Sequence, residues 1–157
     1  MLNTNIAEGR GKLRNNRTII INKDVLLMAL SIMKASFGDN IVCTLLYHVG
    51  RALGSAILNM YIGNNSSLKT IIERVLQEAK DMGLIELTEA SVEDGVIRIL
   101  VDPDIDRICN RNSPPYPLFR GLINGLFKNL KPTLIDVREK DGYVELYFLI
   151  DEEYKWW

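Results

Sequence analysis

A chain of 157 residues, 47% hydrophobic and 25% charged, is long enough to bury one sizeable core and too short for a second domain. Its 19 basic and 20 acidic side chains leave a formal charge of −1, so no global basic field draws it to nucleic acid or anionic lipid. The N-terminal stretch has no apolar run that reads as a signal peptide, and no segment offers about 18 uninterrupted apolar residues for a membrane span; a soluble cytoplasmic protein without a membrane partner is the expectation.

Residues 1–16 mix asparagine, glycine and basic side chains without periodicity and read as a mobile tail ahead of a single domain over residues 17–157. No aromatic residue interleaves with Arg10, Lys12, Arg14 and Arg17, so the stacking platform of a nucleic-acid arm is missing and no nucleic-acid partner is expected. Residues 18–21 fit a short strand. Asn22 or Asp24 then caps a helix over 25–37 that stops at Gly38. A longer helix starts near Ile41, where Val42, Leu45, Leu46, Val49, Leu53, Ala56, Ile57 and Met60 recur at helical steps beside a polar stripe of Thr44, His48, Arg51, Ser55 and Asn59. After a break at 63–67, a third helix over 68–82 carries Leu68, Ile71, Ile72, Val75, Leu76, Ala79 and Met82 along one side and ends at Gly83.

Beyond residue 84 the pattern changes to short β-type runs. Runs at 84–90 and 96–102 flank residues 91–95, runs at 133–139 and 143–151 flank residues 140–142, and each pair is joined through an Asp-Gly turn signal. Pro114, Pro115 and Pro117 interrupt any regular element between the hairpins, and Pro117 stands at the start of a helix in LFRGLINGLFKNL. The expected fold is α+β: N-terminal helices packed on one face of an antiparallel sheet made of two hairpins, with a helix between the hairpins.

The long helix and the inter-hairpin helix share one peculiarity: each has two glycines a turn apart, Gly50 and Gly54 in the first, Gly121 and Gly125 in the second. A glycine inside a helix costs about 0.5–1 kcal/mol relative to alanine, so bulk is unwelcome on both faces, and either another element or a ligand comes close there. Tyr47 and Tyr61 lie near the first pair, and Tyr116, Phe119 and Phe127 bracket the second, as the walls of an apolar pocket or as plain core. Arg51 and Arg120 each adjoin a glycine and present a guanidinium to an anionic head group or to water. The candidate ligand-binding residues are therefore Tyr47, Gly50, Arg51, Gly54, Tyr116, Phe119, Arg120, Gly121 and Gly125.

Catalytic chemistry is thin. The single histidine, His48, could act as a base or a ligand, but in a solvated polar helical row it reads first as a surface residue. GRALG and GLING do not follow strands in the GxGxxG spacing, and neither GK[ST] nor GxSxG occurs. The two cysteines, Cys43 and Cys109, are far apart in sequence and read as reduced, small buried hydrophobes rather than metal ligands. No catalytic residue, metal or cofactor is expected.

The run from 116 to 148, YPLFRGLINGLFKNLKPTLIDVREKDGYVELYF, resembles the C-terminal half of the 4-vinyl reductase domain family, with Gly121, Gly125, Gly142 and Phe148 on the family's positions. Upstream, LLYHVGRALGSAI resembles the family's glycine-arginine helix, so the likeness spans most of residues 18–150. This resemblance implies a fold shared with ligand-binding domains of phenol-sensing activators, with nitric-oxide-associated heme domains and with Golgi transport-particle subunits, and it implies an apolar cavity or a dimer. Where zinc-bearing members place their ligands, this chain has Tyr116, Ile135, Arg138 and Leu146, none of which binds zinc.

These features point to a stand-alone, non-enzymatic domain that binds or senses a small hydrophobic molecule. The alternatives are a dimeric scaffold without a ligand, as in the transport-particle relatives, and a reductase or accessory factor in tetrapyrrole-like metabolism, which the family name alone carries. Trp156 and Trp157 add apolar area that a second subunit would cover, so a homodimer is the expected state.

Overall fold

The computed structural model describes residues 22–61, 70, 73, 74, 77, 87–109 and 115–151. Helix α1 (Lys23–Phe37) and helix α2 (Asp39–Tyr61) are followed by strands β1 (Leu87–Glu93) and β2 (Val96–Val101), helix α3 (Pro117–Leu126), and strands β3 (Thr133–Lys140) and β4 (Tyr143–Leu149). Asn22 caps α1, its side chain accepting hydrogen bonds from the amides of Asp24 and Val25. Gly38, with φ +87°, ends α1, and α2 begins at the next residue, two positions earlier than the apolar periodicity places it. The proposed tail and the strand at 18–21 lie outside the described residues, as do Trp156 and Trp157. Of the helix expected over 68–82, Thr70, Glu73, Arg74 and Gln77 are described; they are helical and exposed, the polar side of that helix.

Both hairpins form, and they pair into one antiparallel sheet in the order β1-β2-β4-β3. Asp94 with Gly95 and Asp141 with Gly142 all have positive φ, the left-handed turn geometry that the Asp-Gly signals demand. The first turn is tighter than the spacing of the β-type runs suggests: Ser91, Val92 and Glu93 continue β1, pairing with Arg98, Ile97 and Val96. The central pair joins the hairpins through registers such as Ile97 with Phe148 and Ile99 with Leu146.

Among the described residues the fold is α+β, with helices α1, α2 and α3 and one four-stranded antiparallel sheet. Along β2 burial alternates, with Ile97, Ile99 and Val101 facing inward. They pack with Val144, Leu146 and Phe148 of β4 and with Phe119, Leu122, Ile123 and Leu126 of α3, and Ile57 of α2 reaches the same core. A smaller cluster of Leu30, Val42, Leu46 and Leu118 joins α1, α2 and the first turn of α3, with Ile105, Ile108 and Cys109 packed against it. Over Asp39–Asn59, α2 is long and apolar enough to cross a bilayer by length and composition, although polar side chains interrupt its apolar run. In this fold one side of that helix lies on α3.

Candidate functional site

The two glycine-bearing helix faces meet each other. A Cβ on Gly50 would fall on the carbonyl oxygen of Leu118 and stand 2.9 Å from the amide nitrogen of Leu122, and one on Gly54 would stand 2.7 Å from the amide nitrogen of Leu126. In return, a Cβ on Gly121 would fall on the carbonyl oxygen of Tyr47 and stand 2.9 Å from the nitrogen of Arg51, and one on Gly125 would stand 2.9 Å from the nitrogen of Ser55. The two helices cross backbone to backbone. Of the two readings open from the sequence, close packing by another element describes these faces: the space beside the glycines is filled by helix backbone.

Around that crossing the structure gathers most of the candidate residues. Tyr47 is half-buried, with the Arg120 guanidinium 5.6 Å from its ring centroid and the His48 ring edge-on at 5.6 Å. Arg51 joins through its backbone, while its side chain is exposed. Tyr116 stands at the start of α3 in the left-handed conformation, φ 54°, and burial together with the Glu139 carboxylate raises its phenol above the usual value. Phe119 is separated from this rim: it is 1% exposed and belongs to the core against the sheet. His48 is exposed, on the polar side of α2.

Asp106 completes the rim and is absent from the sequence-derived set. It sits in a 3-10 turn, Asp106–Ile108, and is 3% exposed. Its carboxylate accepts hydrogen bonds from the amides of Leu118, at 2.8 Å, and Phe119, at 3.2 Å, so it caps α3 from eleven residues outside the helix, counting from Asp106 to Pro117. Burial pushes its pKa up to about 6, against the pull of those two amides and of the nearby Arg120. The signal in the sequence is indirect. Tyr116 offers α3 no side-chain cap, so the first amides of the helix need a partner from elsewhere.

The cysteines are a correction. Cys43 of α2 and Cys109, just past the 3-10 turn, form a disulfide with their Cα atoms 5.7 Å apart, so among the described residues there is no free thiol. Their 66-residue separation hides this pairing from any local motif. Among the described residues no three His, Cys, Asp or Glu side chains group as a metal site. Of the positions compared with zinc ligands, Leu146 is fully buried in the core and Arg138 pairs with Asp136.

The architecture, α2 laid on α3 above an antiparallel sheet, is that of the H-NOX fold. The structure is similar to one described as probing heme distortion in the H-NOX family, with a TM-score of 0.55 and 17% identity over 88% of this chain and 77% of that one. It is also similar to a mutant of the T. tengcongensis H-NOX, with a TM-score of 0.53, 17% identity, and 88% and 79% of the two chains covered. An oxygen-binding H-NOX domain related to soluble guanylate cyclases matches with a TM-score of 0.51 and 18% identity over 88% of this chain and 77% of that one. No family model matches the chain, and no curated protein matches its sequence. At such identities the likeness shows the fold.

The heme those names mention does not fit the described residues of this chain. A heme needs an axial side chain, most often histidine or cysteine thiolate and in other proteins methionine or tyrosine, aimed into an interior space of its own size. Here the single histidine is exposed, both cysteines are in the disulfide, and the space between α3 and the sheet is filled by Phe119, Leu122, Leu126, Ile97 and Phe148.

Proposed function

We propose that this protein is a non-enzymatic domain that binds or senses a small hydrophobic molecule. The observation that carries the reading is the shared fold: structures described as H-NOX domains, one of them oxygen binding, align with 85–90% of the chain. The proposed contact surface is the rim of the α2–α3 crossing. There Tyr47 and Tyr116 supply aromatic walls, Arg51 and Arg120 supply cations, and the four glycines set the helix spacing on which these side chains stand. Native mass spectrometry of the purified protein, repeated after incubation with a panel of small aromatic and aliphatic molecules, tests it. A retained or added apolar molecule whose binding is lost in Tyr47→Ala supports the reading; bare protein under all conditions overturns it.

A second reading, a dimeric scaffold, rests on a different observation. Helix α1 is apolar on two opposite sides: Leu26, Leu30 and Met33 pack inward, while Val25, Met28 and Ile32 are 62%, 67% and 61% exposed. A helix apolar all round is ordinarily covered on both sides. Light scattering at micromolar concentration tests this, and a monomer would count against it.

A further inference from the structure

Segment 102–109 leaves the sheet after β2 and touches all three helices. Lys23 of α1 pairs with Asp102, at 3.5 Å, and with Asp104; Lys34 of α1 donates to the carbonyl oxygen of Ile108 at 2.9 Å. Arg107 donates to the carbonyl oxygen of Gly142 at 2.9 Å. The lysine side chains in these contacts are only partly buried, and ion pairs of that kind hold weakly. The covalent anchor is different in kind: Cys109 is tied to Cys43, which is buried in α2. A single 3-10 turn separates Asp106 from Cys109, so the position of one determines the position of the other.

We propose that the Cys43–Cys109 bond is a redox latch on α3: oxidised, it holds the Asp106 carboxylate on the first amides of the helix, and reduction releases segment 102–109 and uncaps them. In the releasing step a thiolate of a dithiol reductant attacks the sulfur of Cys109, the less buried of the two. The Cys43 sulfur leaves and takes a proton. The second thiol of the reductant then breaks the mixed disulfide, so two electrons and two protons pass to the protein and the reductant becomes a cyclic disulfide.

Two features make the release local. Burial disfavours the charged Asp106, so a segment free of its covalent anchor regains the hydration of that carboxylate by lifting away. Beyond the Leu118 cluster, against which Ile105, Ile108 and Cys109 pack, α3 is held by its glycine crossing with α2 and its apolar face on the sheet, and these involve no residue of 102–109. The helix therefore keeps its place while its N-terminus changes partner.

Amide NMR on the full-length protein, with and without dithiothreitol, tests the latch. In the oxidised protein the Leu118 and Phe119 amide resonances titrate with Asp106 at a midpoint of about 6; after reduction they cease to follow it, and the midpoint read on the Asp106 carboxyl carbon moves toward the ordinary carboxylate value of about 4. The Ile97 and Leu146 resonances stay in place. Cys109→Ser without reductant gives the same shifted midpoint, and reduction of the unaltered protein serves if that variant fails to fold. An unmoved midpoint after reduction overturns the proposal. So does loss of the sheet resonances together with those of Leu118 and Phe119, which would make the bond a staple of the whole domain, and so do two maleimide-reactive thiols before any reductant is added.

Discussion

Gly54 and Gly125 oppose each other across the α2–α3 crossing so closely that a Cβ on Gly54 would stand 3.1 Å from the carbonyl carbon of Gly125. The obstacle is backbone, which cannot rotate aside as a flexible side chain would, so any added carbon forces the helices apart. Separation of α2 from α3 also disturbs Ile57 and Leu122, which share the core beneath.

Gly54→Ala and Gly121→Ala are accordingly expected to destabilise. Overpacking a tight core costs about 1–3 kcal/mol, more where backbone must move, and the gain of about 1 kcal/mol in helix propensity offsets only part of it. A net loss of about 2 kcal/mol in urea denaturation is the expected result for each. Gly38→Ala separates packing from conformation: nothing lies within 4 Å of a Cβ there, yet φ is +87° with ψ 163°, so its cost is backbone strain of about 1–3 kcal/mol.

How much of this was legible in the sequence follows from the range of each interaction. The Asn22 cap, the Gly38 stop and the Asp-Gly turns are decisions made within four residues, and the chemistry of those residues announces them. The glycine pairs announced a close approach but not its occupant, because the partner faces are some seventy residues apart, as the bond from Ser55 to the Gly125 carbonyl illustrates. Cys43–Cys109 and the Asp106 cap were invisible for the same reason. Neither leaves a periodicity, and chain topology alone brings the groups together.

Asp106 predicts a pH dependence with the sign opposite to that of an ion-paired carboxylate. Its pKa is raised from 3.8 in the unfolded reference to about 6 in the fold, so the folded state holds the proton more tightly. The contribution is fully present below about pH 4 and is lost as pH rises to about 6, a difference of about 3 kcal/mol. Asp106→Asn keeps one acceptor and no charge. The difference in unfolding free energy between parent and variant is expected to favour the parent at pH 4 and to shrink by pH 7; a difference flat across that range would refute the assignment.

The disulfide makes a thermodynamic prediction separate from its role at α3. Closing a loop of 66 residues removes enough entropy from the unfolded chain to stabilise the fold by about 4 kcal/mol. Urea denaturation with and without reductant measures it. The expected outcome is a lower midpoint for the reduced protein, with native-like far-ultraviolet circular dichroism retained at zero urea.

The exposed apolar rows carry the last prediction. On α2, Ile41, Leu45 and Val49 follow one another at four-residue steps and are exposed, with Ala52 and Ala56 exposed on the same side, so this helix is apolar both toward α3 and away from it. Val25, Met28 and Ile32 do the same on α1. If a second copy of the chain covers these rows, a charge placed on them must be buried in the dimer but stays wet in the monomer. Ile32→Glu and Leu45→Glu are then expected to halve the mass measured by light scattering without loss of helix content, because neither side chain lies in a core cluster. Should the parent already run as a monomer at micromolar concentration, the scaffold reading fails and these rows await another partner.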